Sequence, residues 1–242
     1  MFIYACKCVF ILIKERILTA SAVGSWMDRL KNIYDTHNIP PELIFNMDET
    51  MMDASSRRVK VINSKGEHIT LVLAISAAGG FVRPLLIFPK KTLSLLDPKA
   101  EEFYYISGED HGFINNGIFY GWVRAIFIPH INRVRAALHR PGAKVLLLID
   151  PHSTHAYQPA LKDFEDNNIM MVAFLAHSST VCQPLDLTVN NELKKNLSNY
   201  FQPKQGESTE EKQIRLINTL ILCLQAAVTG IHISAGFSRA GI

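Results

Sequence analysis

The chain has 242 residues, 48% of them hydrophobic and 19% charged, so it can bury a sizeable core as one large domain and is not built for long disorder. Twenty-five Lys and Arg against 22 Asp and Glu give a formal charge of +3. That charge is compatible with a nucleic-acid partner without arguing for one, and no dense basic block is present.

The opening "MFIYACKCVFILIK" is apolar but interrupted by Lys7 and ended by Lys14. It is too short to span a bilayer and lacks the basic start and small-residue cleavage site of a signal peptide. No membrane association is expected. Residues 1–25 are set apart as an N-terminal segment, expected to be a buried strand or the start of a truncated longer chain. The four cysteines, Cys6, Cys8, Cys182 and Cys223, form neither a disulfide framework nor a zinc ribbon, and fit a reducing intracellular compartment.

"SWMDRLKNIYDTH", from Ser25, places Trp26, Leu30, Ile33 and Tyr34 on one helical face, with Pro40-Pro41 as the stop. "ELIFNMD" is expected to be a strand ending in Asp48. "VKVINSKG", "HITLVLAISAAGG" and "FVRPLLIFPKK" follow with the rhythm of antiparallel strands and short turns. Leu96 to Gly117 has the Pro and Gly content of surface loops. "GWVRAIFIPHINRVRAAL" is helical in pattern, with a break or kink expected at Pro129.

"AKVLLLID" and "NIMMVAFLA" are continuous apolar runs, as in strands buried on both faces of a parallel sheet. The segment 156–167 between them is expected to be the crossover helix. After "QPLD", Leu185, Val189, Leu193, Leu197 and Phe201 recur at i+4 and predict one amphipathic helix. A last helix is expected from about Thr209, as its cap, to Val228.

Asp48 and Asp150 each close an apolar strand, and Asp186 lies in the turn opening a helix after the next strand. Open α/β sheets gather ligands at that edge. Three carboxylates brought together there would repel one another without a cation. Oxygen ligands suit Mg²⁺ or Mn²⁺, and two such ions can clamp the attacking and leaving oxygens of a phosphoryl transfer. Taken singly, Asp48 could instead cap a turn, and Asp186 could cap its helix. His152 and His155 have H-x-x-H spacing, but zinc would need further ligands such as His177 or Cys182.

Three blocks, "IFNMDET", "LLLIDPHSTH" and "VCQPLDLTVNNELKKNL", resemble the carboxylate blocks of the DDE superfamily endonuclease domain of pogo, Tigger and jerky transposases and their host-derived relatives. "ITLVLAISAAGGFVRPLLIFPKK", "GWVRAIFIPHI" and "ISAGFSRAGI" resemble the intervening and closing segments, so the resemblance covers Trp26 to Ile242. It implies an α/β, RNase H-like mixed sheet, antiparallel strands followed by parallel ones, flanked by helices. It also implies a catalytic domain over 26–242 that cleaves and joins DNA strands with two metal ions, Mg²⁺ or Mn²⁺.

On that resemblance Asp48, Asp150 and Asp186 are the catalytic and metal-binding residues. Glu49, His155 and Gln183 support them: Glu49 faces away on the strand, His155 orients the Asp150 loop, and Gln183 sets the entry of the last catalytic helix. Lys194 and Lys195 are candidate DNA phosphate contacts. DNA is the expected partner, a homo-oligomer is possible, no small-molecule substrate is expected, and the location is the nucleus. Two features depart from the family pattern. Pro151 follows Asp150 where the family usually has Asn, and nothing upstream resembles its helix-turn-helix region. They leave room for a rival reading, a host-domesticated, catalytically inactive nuclear scaffold that binds DNA or protein.

Overall fold

The computed structural model describes residues 19–52, 69–89, 104–110, 112–150, 157–202 and 204–242. Residues 1–18, the strand expected at "VKVINSKG", and Pro151, His152 and His155 lie outside the described residues.

Helix α1 (Ala20–His37) begins at Thr19, whose hydroxyl accepts the Ala22 N–H at 3.1 Å. It buries Ala22, Trp26 and Leu30 and ends in Asn38, in the left-handed conformation at φ 47°. A 3₁₀ turn over Pro41–Leu43 leads into strand β1 (Ile44–Met52). Strands β2 (Ile69–Ser76) and β3 (Leu85–Pro89) follow, paired antiparallel, and β1 pairs antiparallel with β2.

Strand β4 (Tyr105–Glu109) corrects the expectation of surface loops over Leu96 to Gly117, because it pairs parallel with β3. A short run at a sheet edge takes its order from backbone pairing, and the Gly and Pro around it mask its pattern. Among the described residues the sheet has six strands in the order β4-β3-β2-β1-β5-β6, with β5 (Val145–Ile149) and β6 (Ile169–Ala173) parallel to β1. Helix α4 (Gln158–Asp166) makes the β5–β6 crossover. The sheet is the mixed, antiparallel-then-parallel RNase H-like one, flanked by helices.

Between β4 and β5 runs one helical rod with a flaw. It comprises α2 (Asn116–Trp122), a π-helical turn (Val123–Phe127) and α3 (Ile128–Ala137). Pro129 has no N–H to return to the preceding turn, so the distortion falls before the proline rather than at it. Phe127 of the π turn meets Phe45 edge-on at 5.5 Å, stacks on Trp122 at 5.1 Å and touches Phe164 of α4. These rings, all under 2% exposed, form the core beneath the sheet face that carries Phe45.

Arg135 is buried yet satisfied. It donates to the carbonyls of Ala143 and Asn167, at 2.6 to 2.9 Å, and so ties α3 to the segments entering β5 and β6. Beyond β6 lie α5 (Ser179–Cys182), α6 (Pro184–Leu187) and α7 (Val189–Tyr200). The single helix expected after "QPLD" is thus broken at Thr188, whose φ of −141° is not helical. Helix α8 (Thr209–Ala227) starts with a Ser208–Glu211 capping box, so Ser208, not Thr209, is the cap. Helix α9 (Gly230–Ala240), capped by Thr229, was not expected from the sequence.

Candidate active site

Strand alternation places Asn46, Asp48 and Thr50 on one face of β1, and Phe45, Met47 and Glu49 on the other. Phe45 faces the α2–α3 rod. Asn46 and Asp48 face the opposite layer, where α6 and α7 sit. Glu49 therefore stands on the far face of the strand from Asp48, paired in register with Val72. Asp48 does not end its strand as expected, because β1 continues to Met52 on the support of β2. The parallel partner is what ends. The β1–β5 register closes at Asn46 opposite Leu148. Two residues further on, Asp48 and Asp150 stand at one level, where β5 gives way to its loop.

Asn46 brings in the third block. Fully buried, it donates to the Leu148 carbonyl of β5 at 3.2 Å and accepts the Leu185 N–H of α6 at 3.0 Å. Leu185 is the residue before Asp186. One amide thus fixes the three carboxylate-bearing segments to one another. Asp186 caps no helix: it lies in the first turn of α6, and the caps of α6 and α7, Gln183 and Thr188, make no side-chain capping bond.

Asn190 links the two acids directly. Its Nδ2 donates to Asp48 Oδ2 at 2.7 Å and to Asp186 Oδ1 at 3.0 Å. Asp150 accepts from the Ser179 hydroxyl of α5, 3.3 Å from Oδ2. Burial pushes the Asp48 carboxyl up to about 7, and the charges of Asp186 and Asp150 push the same way. The Glu49 backbone N–H and the Gln183 side chain oppose the rise. Gln183 is fully buried beside Asp48, yet neither of its amide atoms has a hydrogen-bond partner of good geometry.

Sequence reasoning named Asp48, Asp150, Asp186, Glu49 and Gln183 but not Asn46, Asn190 or Ser179. Asn190 carried one signal, its place four residues after Asp186. Among the described residues no three His, Cys, Asp or Glu side chains close tightly enough to hold an ion. His177 is exposed and Cys182 buried. Lys194 and Lys195 are exposed on α7, with Lys195 paired to Glu192 at 3.4 Å.

The layer behind Asp186 is α9. Thr188 Oγ1 donates to the His232 carbonyl at 2.8 Å, and Arg239 donates to the Leu187 carbonyl at 3.2 Å. Gly236 packs so closely that a Cβ there would lie 2.6 Å from the Pro184 carbonyl oxygen and from Thr188 Oγ1.

Residues 66–234 match the model of the DDE superfamily endonuclease. The chain belongs to that family. The matched stretch of this DDE domain includes Asp150 and Asp186 and begins after Asp48, so Asp48 joins the group through the register of β1 and the Asn190 bridge. Two solved structures share the fold: the Mos1 mariner paired end complex with Mn, and a pre-cleavage Mos1 transpososome. The first is 14% identical, with a TM-score of 0.57 over 93% of this chain and 61% of its own. The second is 13% identical, with a TM-score of 0.51 over 90% of this chain and 66% of its own. A curated relative, the MFS-type transporter clz9 of Cochliobolus lunatus, is 24% identical over 179 residues, 73% of this chain and 19% of its own length. The DDE domain therefore spans about a fifth of that relative and under two thirds of either Mos1 chain. Among the described residues no single helix is long and apolar enough to cross a membrane; α8 and α9 reach that length only as a pair bent by 66°.

Proposed function

We propose that this DDE domain cleaves DNA phosphodiesters, and joins strands, with Mg²⁺ or Mn²⁺ held by Asp48, Asp150 and Asp186. The observation that carries the reading is the meeting of three carboxylate-bearing segments at one end of the β1–β5 pair, where Asp48 titrates only near 7. A half-buried acid raised by two other acids is a site short of positive charge. Its oxygen donors suit a hard divalent cation. The Mn in the paired end complex of Mos1, a protein of the same fold, agrees with that choice.

When bound, a pair of such ions lowers the cost of charge in an in-line displacement at phosphorus by water or a DNA 3′-hydroxyl. The protein's share is positional. Asn46 holds β1, β5 and α6 in register, Ser179 steadies Asp150, and α9 backs the segment that carries Asp186. Lys194 and Lys195 offer exposed positive charge to the DNA backbone along α7. A nuclear location, where a DNA substrate would be met, and assembly into a homo-oligomer belong to the same proposal.

The deciding experiment measures melting temperature against Mn²⁺ and Mg²⁺ for the wild type and Asp48→Ala, followed by nicking of supercoiled plasmid. A metal-dependent rise lost in Asp48→Ala, accompanied by nicking, is the expected result. A metal-dependent rise without nicking would point instead to a retained site in a domesticated or truncated protein. Neither effect would remove the metal from the account.

A further inference from the structure

Asn190 is 1% exposed and stands between two acids. Its nitrogen serves both of them, while its Oδ1 is buried without a partner. Leaving a buried amide oxygen unsatisfied is unfavourable. That cost is accepted here because the NH₂ group occupies a place where positive charge is wanted. A carboxamide is nearly symmetric in shape, and a half-turn about its terminal torsion exchanges oxygen and nitrogen.

We propose that Asn190 is a neutral ligand of the divalent-cation site. Its nitrogen bridges Asp48 and Asp186 when no ion is bound, and its Oδ1 turns onto the ion when one is. The inference rests on the metal-binding reading above and adds a residue to it. With the nitrogen forward, the amide keeps two carboxylates apart with one partial positive charge. With the oxygen forward, it would repel both acids once they are ionised, so above pH 7 that orientation needs a cation among them. The amide's two faces therefore match the site's two charge states. The change needs no backbone movement in α7 and no proton.

Gln183 points the same way. Fully buried, its side chain leans on the Asp48 carboxylate and eases its charge, while its Oε1 has no hydrogen-bond partner. The polar capacity around Asp48 thus exceeds what the protein's own hydrogen bonds consume. A hard cation with six or more oxygen ligands would use that capacity.

The test is Mn²⁺ titration followed by the electron paramagnetic resonance signal of free Mn²⁺, on wild type, Asn190→Ala, Asn190→Asp and Asp48→Ala. Circular dichroism and melting run alongside. Asn190→Ala should weaken Mn²⁺ binding about tenfold. Asn190→Asp, which presents only oxygens, should bind at least as tightly as wild type while melting lower without metal. Asn190→Ala binding Mn²⁺ as tightly as wild type, or more tightly, would make the amide a mere placeholder and overturn the proposal. Should Asn190→Ala fail to fold, Asn190→Asp decides, because weaker binding by that near-isosteric variant overturns the proposal equally. If Asp48→Ala loses binding and the Asn190 variants do not, the site reading stands and this inference falls. If the wild type binds no Mn²⁺, both fall.

Discussion

The side-chain oxygen of Asn46 accepts the backbone N–H of Leu185 at 3.0 Å, across 139 positions of chain. Its amide nitrogen meanwhile holds the Leu148 carbonyl. Asn46→Ala leaves the buried Leu185 N–H unpaired and removes the side-chain bond to the Leu148 carbonyl. We expect unfolding free energy to fall by about 1–3 kcal/mol, read by urea denaturation. Cleavage should fall further than the loss of folded protein explains, because the carboxylate segments lose their common tie. A variant with unchanged stability would show that the tie is dispensable.

Asp48 sets a pH dependence in metal-free protein. The folded chain holds its proton up to about pH 7, whereas an unperturbed Asp carboxyl titrates near 3.8. This group's contribution is fully present below about pH 4 and is lost as pH rises through 7. In EDTA the melting temperature should therefore fall between pH 5 and 8, by an amount that corresponds to a few kcal/mol at most. Asp48→Asn should flatten that slope and be the more stable protein at pH 8. Mn²⁺ should reverse the slope for wild type, because ion and proton compete for one carboxylate. A wild-type slope that matches Asp48→Asn in EDTA would contradict the assignment.

Gly236 has no room for a methyl group, since a Cβ would meet the Pro184 carbonyl and the Thr188 hydroxyl at 2.6 Å. Gly236→Ala should destabilise the protein by about 1–3 kcal/mol through overpacking. Because the displaced residues flank Asp186, Mn²⁺ affinity should drop as well. Unaltered melting and affinity would show that α9 yields without disturbing α6.

The two candidate phosphate contacts differ. Lys194 is exposed with no ion pair among the described residues, whereas Lys195 shares its charge with Glu192 at 3.4 Å. Lys194→Ala should reduce the salt slope of DNA binding by about one, and Lys195→Ala by less. Equal slopes for wild type and Lys194→Ala, by fluorescence anisotropy at several salt concentrations, would remove that lysine from the interface.

The parallel strands were legible because "KVLLLID" and "NIMMVAFLA" are buried on both faces, and no helix of ordinary amphipathicity has that pattern. Strand β4 was not, because an edge strand needs only backbone pairing and "YISGE" carries no apolar alternation. The break at Thr188 was hidden by an unbroken i+4 series. Leu185 and Val189 stay buried on either side of it, so burial alone does not reveal the kink. The acids could be picked out because a carboxylate ending an apolar run is costly to bury. The amides that organise them could not: Asn46 lies inside an ordinary strand pattern, and a buried Asn is distinguished by its partners rather than its spacing. Glu49 was placed on the far face by alternation alone, and the β1 register agrees.

The support that α9 gives to α6 has a consequence for the order of events at the ribosome. Chains emerge amino end first, and β1, β5 and β6 can pair before the last helix leaves the tunnel. The turn that carries Asp186 then has no backing from His232, Gly236 or Arg239. Until Gly230–Ala240 has emerged, a nascent chain therefore holds Asp186 through the Asn46 and Asn190 contacts alone, and the acidic centre stiffens only when α9 closes behind it.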